Sequence, residues 1–440
     1  MTQKNNAENP WTAEDEKGHP ARSLEWWTVI GFFTTQENQK QWSIKATFSE
    51  GVVDKKQIDS LCNITLFDQE ANRHYVSYIR IPGAPLRARQ DAFDVGLNDS
   101  FMKGSYPAYE AYFRDPDQDI EIDFIIQAES FPHWVAQEAT NGWIPMGLGF
   151  FRYGFIPKTR ISGTIKIHGK LFTIKGTGYF EHVWGNFSYR NPLSSVKDRK
   201  KTISTYARLI EWWLRNRKLR VPTTIMFSTE NNPLGYDWAW TVLDNGWTIF
   251  YGNSLFWMME GPATGILILS KDGKIYTEFN TIDFRYNTIR TAKNYDFAYP
   301  SDFEITAMKE KETLHLRFTM TQECREYVSR FPNGRYWLAF VICEAPGITK
   351  GYYRDDKEEI PLTGICKIEP QRQVSIIGHN SLRIDILKPP KGVGITIEVD
   401  SHYLGKKMIA QLRLIPKPIL RFSCKRNKNL RQKNKQKIHE

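Results

Sequence analysis

Short segments of alternating apolar and polar residues, separated by turn signals, recur along most of the chain and constrain its fold more than any other feature. Residues 41–48 and 161–167 alternate in this way, and His168-Gly169 supplies a turn into the next such segment. The second half repeats the pattern, with a hairpin predicted over residues 238–251. Successive strand residues point to opposite faces of a sheet, so this period indicates antiparallel strands. The sequence therefore predicts an all-β protein built of barrels or sandwiches.

The size and composition of the chain favour two folded domains. Its 440 residues exceed a comfortable single domain, and 41% of them are apolar, which excludes disorder over the whole length. The five cysteines are an odd number without a CxxC pair, so neither a disulfide framework nor a zinc ribbon is indicated. The polar N-terminus lacks the apolar core of a secretory signal, and no apolar run is long enough to span a membrane. We expect a cytoplasmic protein.

The net charge of +11 is concentrated in two basic segments. Residues 191–222 carry nine Lys or Arg and two acids, and residues 417–440 carry nine and one, which leaves the rest of the chain at −4. We expect five parts: a polar N-terminal segment (1–19), a first β domain (20–190), a basic insert (191–222), a second β domain (223–416) and a disordered basic tail (417–440).

The basic insert contains the best helix candidate of the chain, over residues 205–221. Its predicted apolar face comprises Tyr206, Leu209, Ile210, Trp213 and Leu214. Basic residues beside Trp and Leu are typical of a helix on an anionic membrane surface, but a helix packed on the protein body shows the same pattern. We therefore expect residues 191–222 and 417–440 to be the contact points for any anionic membrane. No specific nucleic-acid partner is indicated, because no RNP-like strand pair or KH-type loop is visible.

One internal similarity suggests two related halves. Glu25-Trp26-Trp27, followed by Thr-Val and a turn, resembles the segment that begins at Asp237-Trp238. Such an echo is expected of two barrels with a common plan, although two Trp-rich hairpins can also agree by chance.

Two segments carry residues suited to chemistry: residues 23–28, with Glu25 before paired tryptophans, and residues 176–185. On a strand, Phe180, His182 and Trp184 share one face, and Glu181 points to the other. A histidine flanked by aromatic rings in a barrel would mark an apolar pocket suited to protonation of an alkene or cyclisation of an isoprenoid. The alternative is a buried histidine that hydrogen-bonds a neighbouring Glu and has no chemical role.

These segments resemble the paired signatures of the hydroxyneurosporene synthase (carotenoid 1,2-hydratase) and AttH-type superfamily: an E-W-W-Y strand near the start and an acid-H-x-W-G segment at the end of the first domain. The resemblance extends in pieces over residues 20–280 and implies two lipocalin-like antiparallel β-barrels, and the short basic helical insert at 191–222 lengthens this region relative to the hydratases. The resemblance also implies a bulky lipophilic ligand in an apolar cavity. Thr28 stands where the family signature has tyrosine.

The resemblance also implies site residues. A His-x-Trp pair of the hydratases matches His182 and Trp184, and their later Tyr-x-Asp pair falls on Tyr251 and Asn253. Asparagine cannot donate a proton, so Glu181, Asp237 or Asp244 would have to replace it. We expect catalytic roles for His182, Trp184, Glu181 and Tyr251. The expected ligand-binding residues are Glu25, Trp26, Trp27, Phe180, Tyr236, Asp237, Trp238, Trp240 and Asn253.

The sequence leaves three functions open. The first is acid-assisted hydration or cyclisation of a terpenoid, carotenoid or polyketide-like molecule. The second is non-catalytic lipid binding or transfer, and the third is a scaffold whose barrel is filled. We expect no cofactor, because there is no glycine-rich phosphate loop, and no metal, because the histidines show neither HxH nor HExxH spacing.

Overall fold

The structure is a computed structural model, and it describes most of the chain. The described residues are 11–19, 23–53, 57–83, 85–146, 149–187, 199–214, 224–227, 235–254, 265–291, 298–329, 338–375, 380–387, 392–401, 405–415 and 417–426. The chain forms two compact units. Unit 1 comprises Met1–Trp212, Trp240–Phe250 and Ile268–Glu278, and unit 2 comprises Trp213–Ala239, Tyr251–Leu267 and Phe279–Glu440.

The first sheet has thirteen antiparallel strands in the described part of the chain. They are β1 (Leu24–Thr35), β2 (Gln41–Val53), β3 (Gln57–Asp68), β4 (Arg73–Pro82), β5 (Arg87–Ala88), β6 (Phe93–Leu97), β7 (Ser100–Ser105), β8 (Ala108–Asp115), β9 (Ile120–Ala128), β10 (His133–Trp134), β11 (Trp143–Met146), β12 (Gly149–Ile167) and β13 (Lys170–Asn186). The strand order is β4-β3-β2-β1-β13-β12-β9-β8-β7-β6-β5, and β10 and β11 pair with β12.

The sequence pattern explains these strands. In β9, the predicted alternation appears as alternate buried and exposed positions from Ile120 to Ile126. The predicted turn at His168-Gly169 is confirmed, and both residues have positive φ (49° and 76°), as a two-residue hairpin with the right-handed strand twist requires.

The first sheet curls around an apolar core. Phe33 on β1 packs on Phe124 of β9 (ring centroids 5.8 Å apart), and Phe48 on β2 packs on Phe113 of β8 (5.7 Å). Strands far apart in the order therefore meet through their side chains, which makes this sheet a half-barrel. We call the face that carries this core, including Val29, the inner face.

A second sheet contains ten strands within the described residues. They are β15 (Gly235–Leu243), β16 (Thr248–Ser254), β17 (Gly265–Ser270), β18 (Tyr276–Phe279), β19 (Thr281–Thr291), β20 (Ala298–Lys309), β21 (Glu312–Met320), β22 (Arg325–Ser329), β23 (Leu338–Arg354) and β24 (Glu359–Ser375). Their order is β18-β17-β16-β15-β24-β23-β21-β20-β19, with β22 paired to β23. The hairpin predicted over residues 238–251 is β15–β16.

A third sheet of five strands has the order β14-β25-β26-β27-β28. These strands are β14 (Thr224–Phe227), β25 (Asn380–Leu387), β26 (Val393–Ser401), β27 (Lys406–Ile415) and β28 (Ile419–Arg426). Residues 419–426 belong to the segment that the sequence predicts to be a disordered tail. This prediction is wrong for them, because their alternating pattern pairs with β27. Residues 427–440 lie outside the described residues.

Helices are few in the described chain: a 3₁₀ turn (Ala13–Asp15), α1 (Gln137–Thr140) and α2 (Arg199–Leu214). The helix predicted over residues 205–221 thus begins six residues earlier, and residues 215–221 lie outside the described residues. Its buried face also differs, because Ile210 is 48% exposed whereas Trp212 is buried. Thr205 is buried as well, and its hydroxyl is satisfied because it donates to the Lys201 carbonyl (2.8 Å). No described helix is long and apolar enough to cross a membrane.

The two large sheets share a plan. In each, the first long strand lies between its hairpin partner and the last long strand, as β2-β1-β13-β12 and β16-β15-β24-β23 show. The predicted fold class, all-β with two curled antiparallel sheets, is confirmed.

Candidate functional site

Strand β13 separates the predicted catalytic residues onto two faces. Trp27 pairs with His182 and Glu25 with Trp184 across the β1–β13 ladder, so all four side chains lie on the inner face. Glu181 lies on the opposite, outer face. The strand alternation predicted from the sequence therefore produces two clusters rather than one constellation.

The inner cluster is a buried chain of hydrogen bonds. The Nδ1–H of His182 donates to the backbone carbonyl of Asp15 (2.7 Å), and Nε2 lies 2.9 Å from Oε1 of Glu25. His19 contacts the same carboxyl through Nδ1 (2.8 Å) and through its backbone N–H (3.0 Å). The ring of His19 stacks on Trp184, and that of His182 stacks on Trp27. Complete burial lowers the pKa of His182 to about 3, because the imidazolium would lose its water.

Residues 11–19 fill the space in front of His182. Besides the Asp15 carbonyl, the Glu16 carbonyl accepts from the indole N–H of Trp27 (3.0 Å), and the Glu16 carboxyl accepts from Tyr109 (2.8 Å). On β12, Gly154 makes room for the segment, since a Cβ there would lie 2.1 Å from a ring atom of Trp11. The inner cluster is therefore packed against the chain itself.

The outer cluster surrounds the carboxyl of Glu181. Oε2 accepts from the hydroxyls of Tyr153 and of Tyr179 (2.8 Å for the latter), and Oε1 accepts from the indole N–H of Trp26 (2.9 Å). The two tyrosine oxygens also lie 3.1 Å apart. Burial raises the pKa of Glu181, although these three donors and the charge of Lys45 act in the opposite direction. The carboxyl thus holds a proton to higher pH than an exposed glutamate does.

Aromatic rings line the outer cluster. Phe155 stacks on Phe250 (4.7 Å), Tyr153 meets Phe250 edge-on (5.5 Å), and Tyr179 packs on Trp240 (5.6 Å). Trp26 and Tyr153 are only half-buried, whereas Glu181 is buried. Two of the three donors to the acid therefore reach the surface of the described structure.

Unit 2 holds a separate buried group. Asp237 accepts from Arg372 (2.7 Å) and from the hydroxyl of Tyr286. Burial opposes the charge on Arg372, but the carboxylate of Asp237 raises the pKa of the guanidinium above its ordinary value. Tyr251 packs against both Phe303 and Phe318, with ring centroids 6.1 and 6.2 Å away.

The predicted site residues thus fall into three groups. Glu25, Trp27, His182 and Trp184 form the inner cluster, Trp26, Glu181 and Trp240 belong to the outer cluster, and Asp237 and Tyr251 lie in unit 2. Phe180 is a core residue that stacks on Tyr109 (4.8 Å), and Tyr236 donates from its hydroxyl to Glu369. Trp238 is buried in unit 2, and the side chain of Asn253 lies outside the described residues.

Sequence reasoning missed Tyr153, Tyr179, Phe250 and Arg372. Tyr179 lies two residues before Glu181 on the same strand, so the alternation of strand side chains predicts that the two share a face. Tyr153 contacts Glu181, and Arg372 contacts Asp237, from neighbouring strands. The sequence does not specify the register of these strand pairs.

His19, Glu25 and His182 are the described residues best placed to hold a metal ion, since one ligand atom from each lies within 4.8 Å of the others. Their contacts of 2.8 and 2.9 Å are hydrogen-bond distances, so we describe the group as hydrogen-bonded. A separate cavity of about 500 Å³ is lined by residues 76–79, 98–100 and 114–118 and by none of the predicted site residues.

The fold is of the lipocalin-like type, with two curled antiparallel sheets. No family model and no curated protein matches the sequence. Among solved structures, the chain is similar to an AttH-like protein from Nitrosomonas europaea (TM-score 0.54, 16% identity, 82% of this chain and 97% of that one). It is also similar to kievitone hydratase from Nectria haematococca (TM-score 0.53, 13% identity, 84% and 95%). At these identities the likeness shows the fold.

Proposed function

We propose that this protein binds a bulky hydrophobic small molecule and transforms it by acid-assisted hydration or cyclisation, with Glu181 as the proton donor. One observation carries the proposal: a buried carboxyl of raised pKa lies among aromatic rings, and two of its hydrogen-bond donors are half-exposed. A carboxyl in an apolar site that holds its proton to higher pH than an exposed glutamate does is suited to the protonation of an alkene.

The proposed reaction balances with groups that the chain supplies. Glu181 gives its proton to one alkene carbon, and the cation left on the other carbon is stabilised by the faces of Tyr153 and Phe250. Water then adds to the cation, and the proton it loses returns to the Glu181 carboxylate through the hydroxyl of Tyr153. In the cyclisation variant, a second double bond replaces water as the nucleophile, and the lost proton returns by the same route.

His182 acts as a positioning residue in this proposal. Its ring is fully buried behind residues 11–19 and bonds to Asp15 and Glu25, so it fixes β13 against β1. The fold supports the reaction class, because kievitone hydratase, which the chain resembles, is named for a hydration. A terpenoid, carotenoid or polyketide-like skeleton remains the proposed substrate.

The test is turnover of lycopene-type carotenoids, prenyl-quinols and kievitone by wild-type protein, Glu181→Gln and Tyr153→Phe. We expect Glu181→Gln to lower turnover by about 10²- to 10⁴-fold, the range of a lost general acid. Tyr153→Phe should reduce it less, because Tyr179 still donates to the carboxyl. The matched control is Glu110→Gln, which removes an exposed carboxyl in the same unit. Equal turnover by Glu181→Gln and wild type would refute the role of Glu181.

The second candidate function is a non-catalytic lipid carrier, because residues 11–19 cover His182, the acid–base group that the sequence predicts to be catalytic. Native mass spectrometry separates the two functions. A ligand that co-purifies unchanged, and that is still bound after Glu181→Gln and His182→Ala, supports the carrier.

A further inference from the structure

The five-stranded sheet of unit 2 has one apolar and one polar face. Across the β27–β28 ladder, Leu412 pairs with Leu420 and Ala410 with Phe422. The same face continues through Ile395 and Ile397 on β26 and through Ile386 and Ile384 on β25. The residues between them are mainly polar or charged, such as Arg421, Ser423 and Lys425 on β28. The sequence pattern is that of a sheet built to cover its apolar face.

That face is uncovered on the two outermost strands. Leu420 is 82% exposed, Phe422 71%, Leu414 53% and Leu412 42%. The apolar residues of β25 and β26 described above are half-buried rather than buried. Scattered exposed leucines are ordinary, but a contiguous apolar face on an edge hairpin marks an interaction surface.

The charge around this face has one sign. Between residues 405 and 426 the chain carries seven Lys or Arg and no acid. Lys406 and Arg426 pair at one end of the apolar face, and Lys417 lies in the turn at the other end. Arg413 and Arg421 follow on the polar face. On β25, by contrast, Asp385 pairs with Arg383 (3.0 Å), and Glu398 on β26 pairs with one of the seven cations, Lys407 of β27 (2.6 Å).

We propose that the apolar face of β27–β28 docks on an anionic lipid bilayer. Leu412, Leu414, Leu420 and Phe422 enter the boundary between headgroups and acyl chains, and the Lys and Arg side chains at the two ends of the apolar face reach lipid phosphates: Lys406, Arg426 and Lys417. The edge backbone of β28 stays at headgroup depth, where water and headgroups satisfy its N–H and C=O groups. This surface is independent of the proposed chemistry at Glu181.

Charge and side-chain type favour a bilayer over other occupants. A second copy of the chain would bring two sets of seven cations together, and like charges oppose such a contact. Nucleic acid would use the cations but leave the leucines in water. An anionic bilayer satisfies both features of the surface, since it offers negative headgroups above an apolar layer.

The experiment is flotation of the full chain with vesicles of phosphatidylcholine alone or mixed with phosphatidylserine. We expect binding to the mixed vesicles that weakens as ionic strength rises. Phe422→Asp should lower vesicle partitioning about tenfold, the order expected for losing one apolar anchor. Ser423→Asp is the matched control: it adds the same charge at the next position of β28 but on the polar face, and it should lower binding less.

A second measurement covers the case in which Phe422→Asp fails to fold. Cys424 lies on the apolar face and is exposed, so an environment-sensitive fluorophore on its thiol should shift to shorter wavelength with mixed vesicles. A Cys424→Ser chain, labelled identically, should show no such shift. Equal losses in Phe422→Asp and Ser423→Asp without a fluorophore shift would overturn the proposal in favour of simple polyanion attraction. So would a lipid-free dimer that only Phe422→Asp dissociates, in favour of a second copy.

Discussion

Replacing Glu181 by glutamine tests the outer cluster without any knowledge of the substrate. The carboxyl is buried and accepts from Trp26, Tyr153 and Tyr179, and its pKa is raised above the ordinary value of 4.5. Between pH 4.5 and the folded pKa, the unfolded chain has released this proton and the folded chain still holds it. The free energy of unfolding therefore falls as pH rises through that window, with a limiting slope of about 1.4 kcal/mol per pH unit from this group.

Glutamine removes that titration while it keeps the shape of the side chain. At low pH both side chains are neutral, so neither makes charge-assisted hydrogen bonds and neither bears the cost of burying a charge. We therefore expect the variant to differ little from wild type in stability at low pH. Above pH 4.5 the free energy of unfolding of the wild type should fall steadily relative to that of the variant.

The assay is hydrogen–deuterium exchange of peptides across β13, with both proteins measured at each pH. Comparing them at the same pH cancels the intrinsic pH dependence of exchange. Glu110→Gln, which alters an exposed side chain of β8, serves as the control. Wild type and Glu181→Gln with parallel protection from pH 4 to 8 would refute the assignment of a buried proton to Glu181.

Three further predictions concern the other buried groups. Gly154→Ala should loosen residues 11–19 by about 1–3 kcal/mol through the clash with Trp11, seen as faster proteolysis of that segment, and unchanged cleavage would contradict the packing. Arg372→Met should destabilise unit 2 by about 3–5 kcal/mol, because it leaves the carboxylate of Asp237 buried without its cation. Adding Asp237→Leu should recover most of that loss in denaturant unfolding, and additive losses would argue against the pair. Because burial lowers the pKa of His182 from 6.5 to about 3, the stability that its neutral ring contributes is fully present above pH 6.5 and is lost as pH falls towards 3. His182→Gln should therefore make the free energy of unfolding less dependent on pH in that window. An unchanged midpoint of acid unfolding would count against this prediction.

The strand period predicted which site residues share a face, but not which residues lie opposite them. It placed His182 with Trp184 and separated Glu181 from both, as the β1–β13 ladder confirms. It could not place Tyr153 beside Glu181, because that contact depends on the register of β12 against β13 and on long-range packing.

The burial of residues 11–19 was not predicted, because their polar composition indicates only an N-terminal segment. Glu16 and Asp15 are buried nevertheless, since Trp11, Tyr109 and the backbone of Tyr106 satisfy the carboxyl of Glu16, and Arg152 pairs with Asp15 (2.8 Å). Such burial depends on partners far along the chain, which local composition does not reveal.

The two halves of the chain contain the same kind of buried acid–base pair, but the basic residue differs. In each, a buried acid on the first long strand bonds to a basic side chain on the last: Glu25 to His182 in the first sheet, and Asp237 to Arg372 in the second. Arginine stays charged at any physiological pH, so the pair in unit 2 is a permanent ion pair, whereas the lowered pKa of His182 keeps its imidazole neutral. The carboxyl of Glu181 instead bonds to neutral Tyr and Trp donors. The carboxyl whose pKa is raised therefore lies on the outer face of the first sheet, where its three donors and the charge of Lys45 only partly offset the effect of burial.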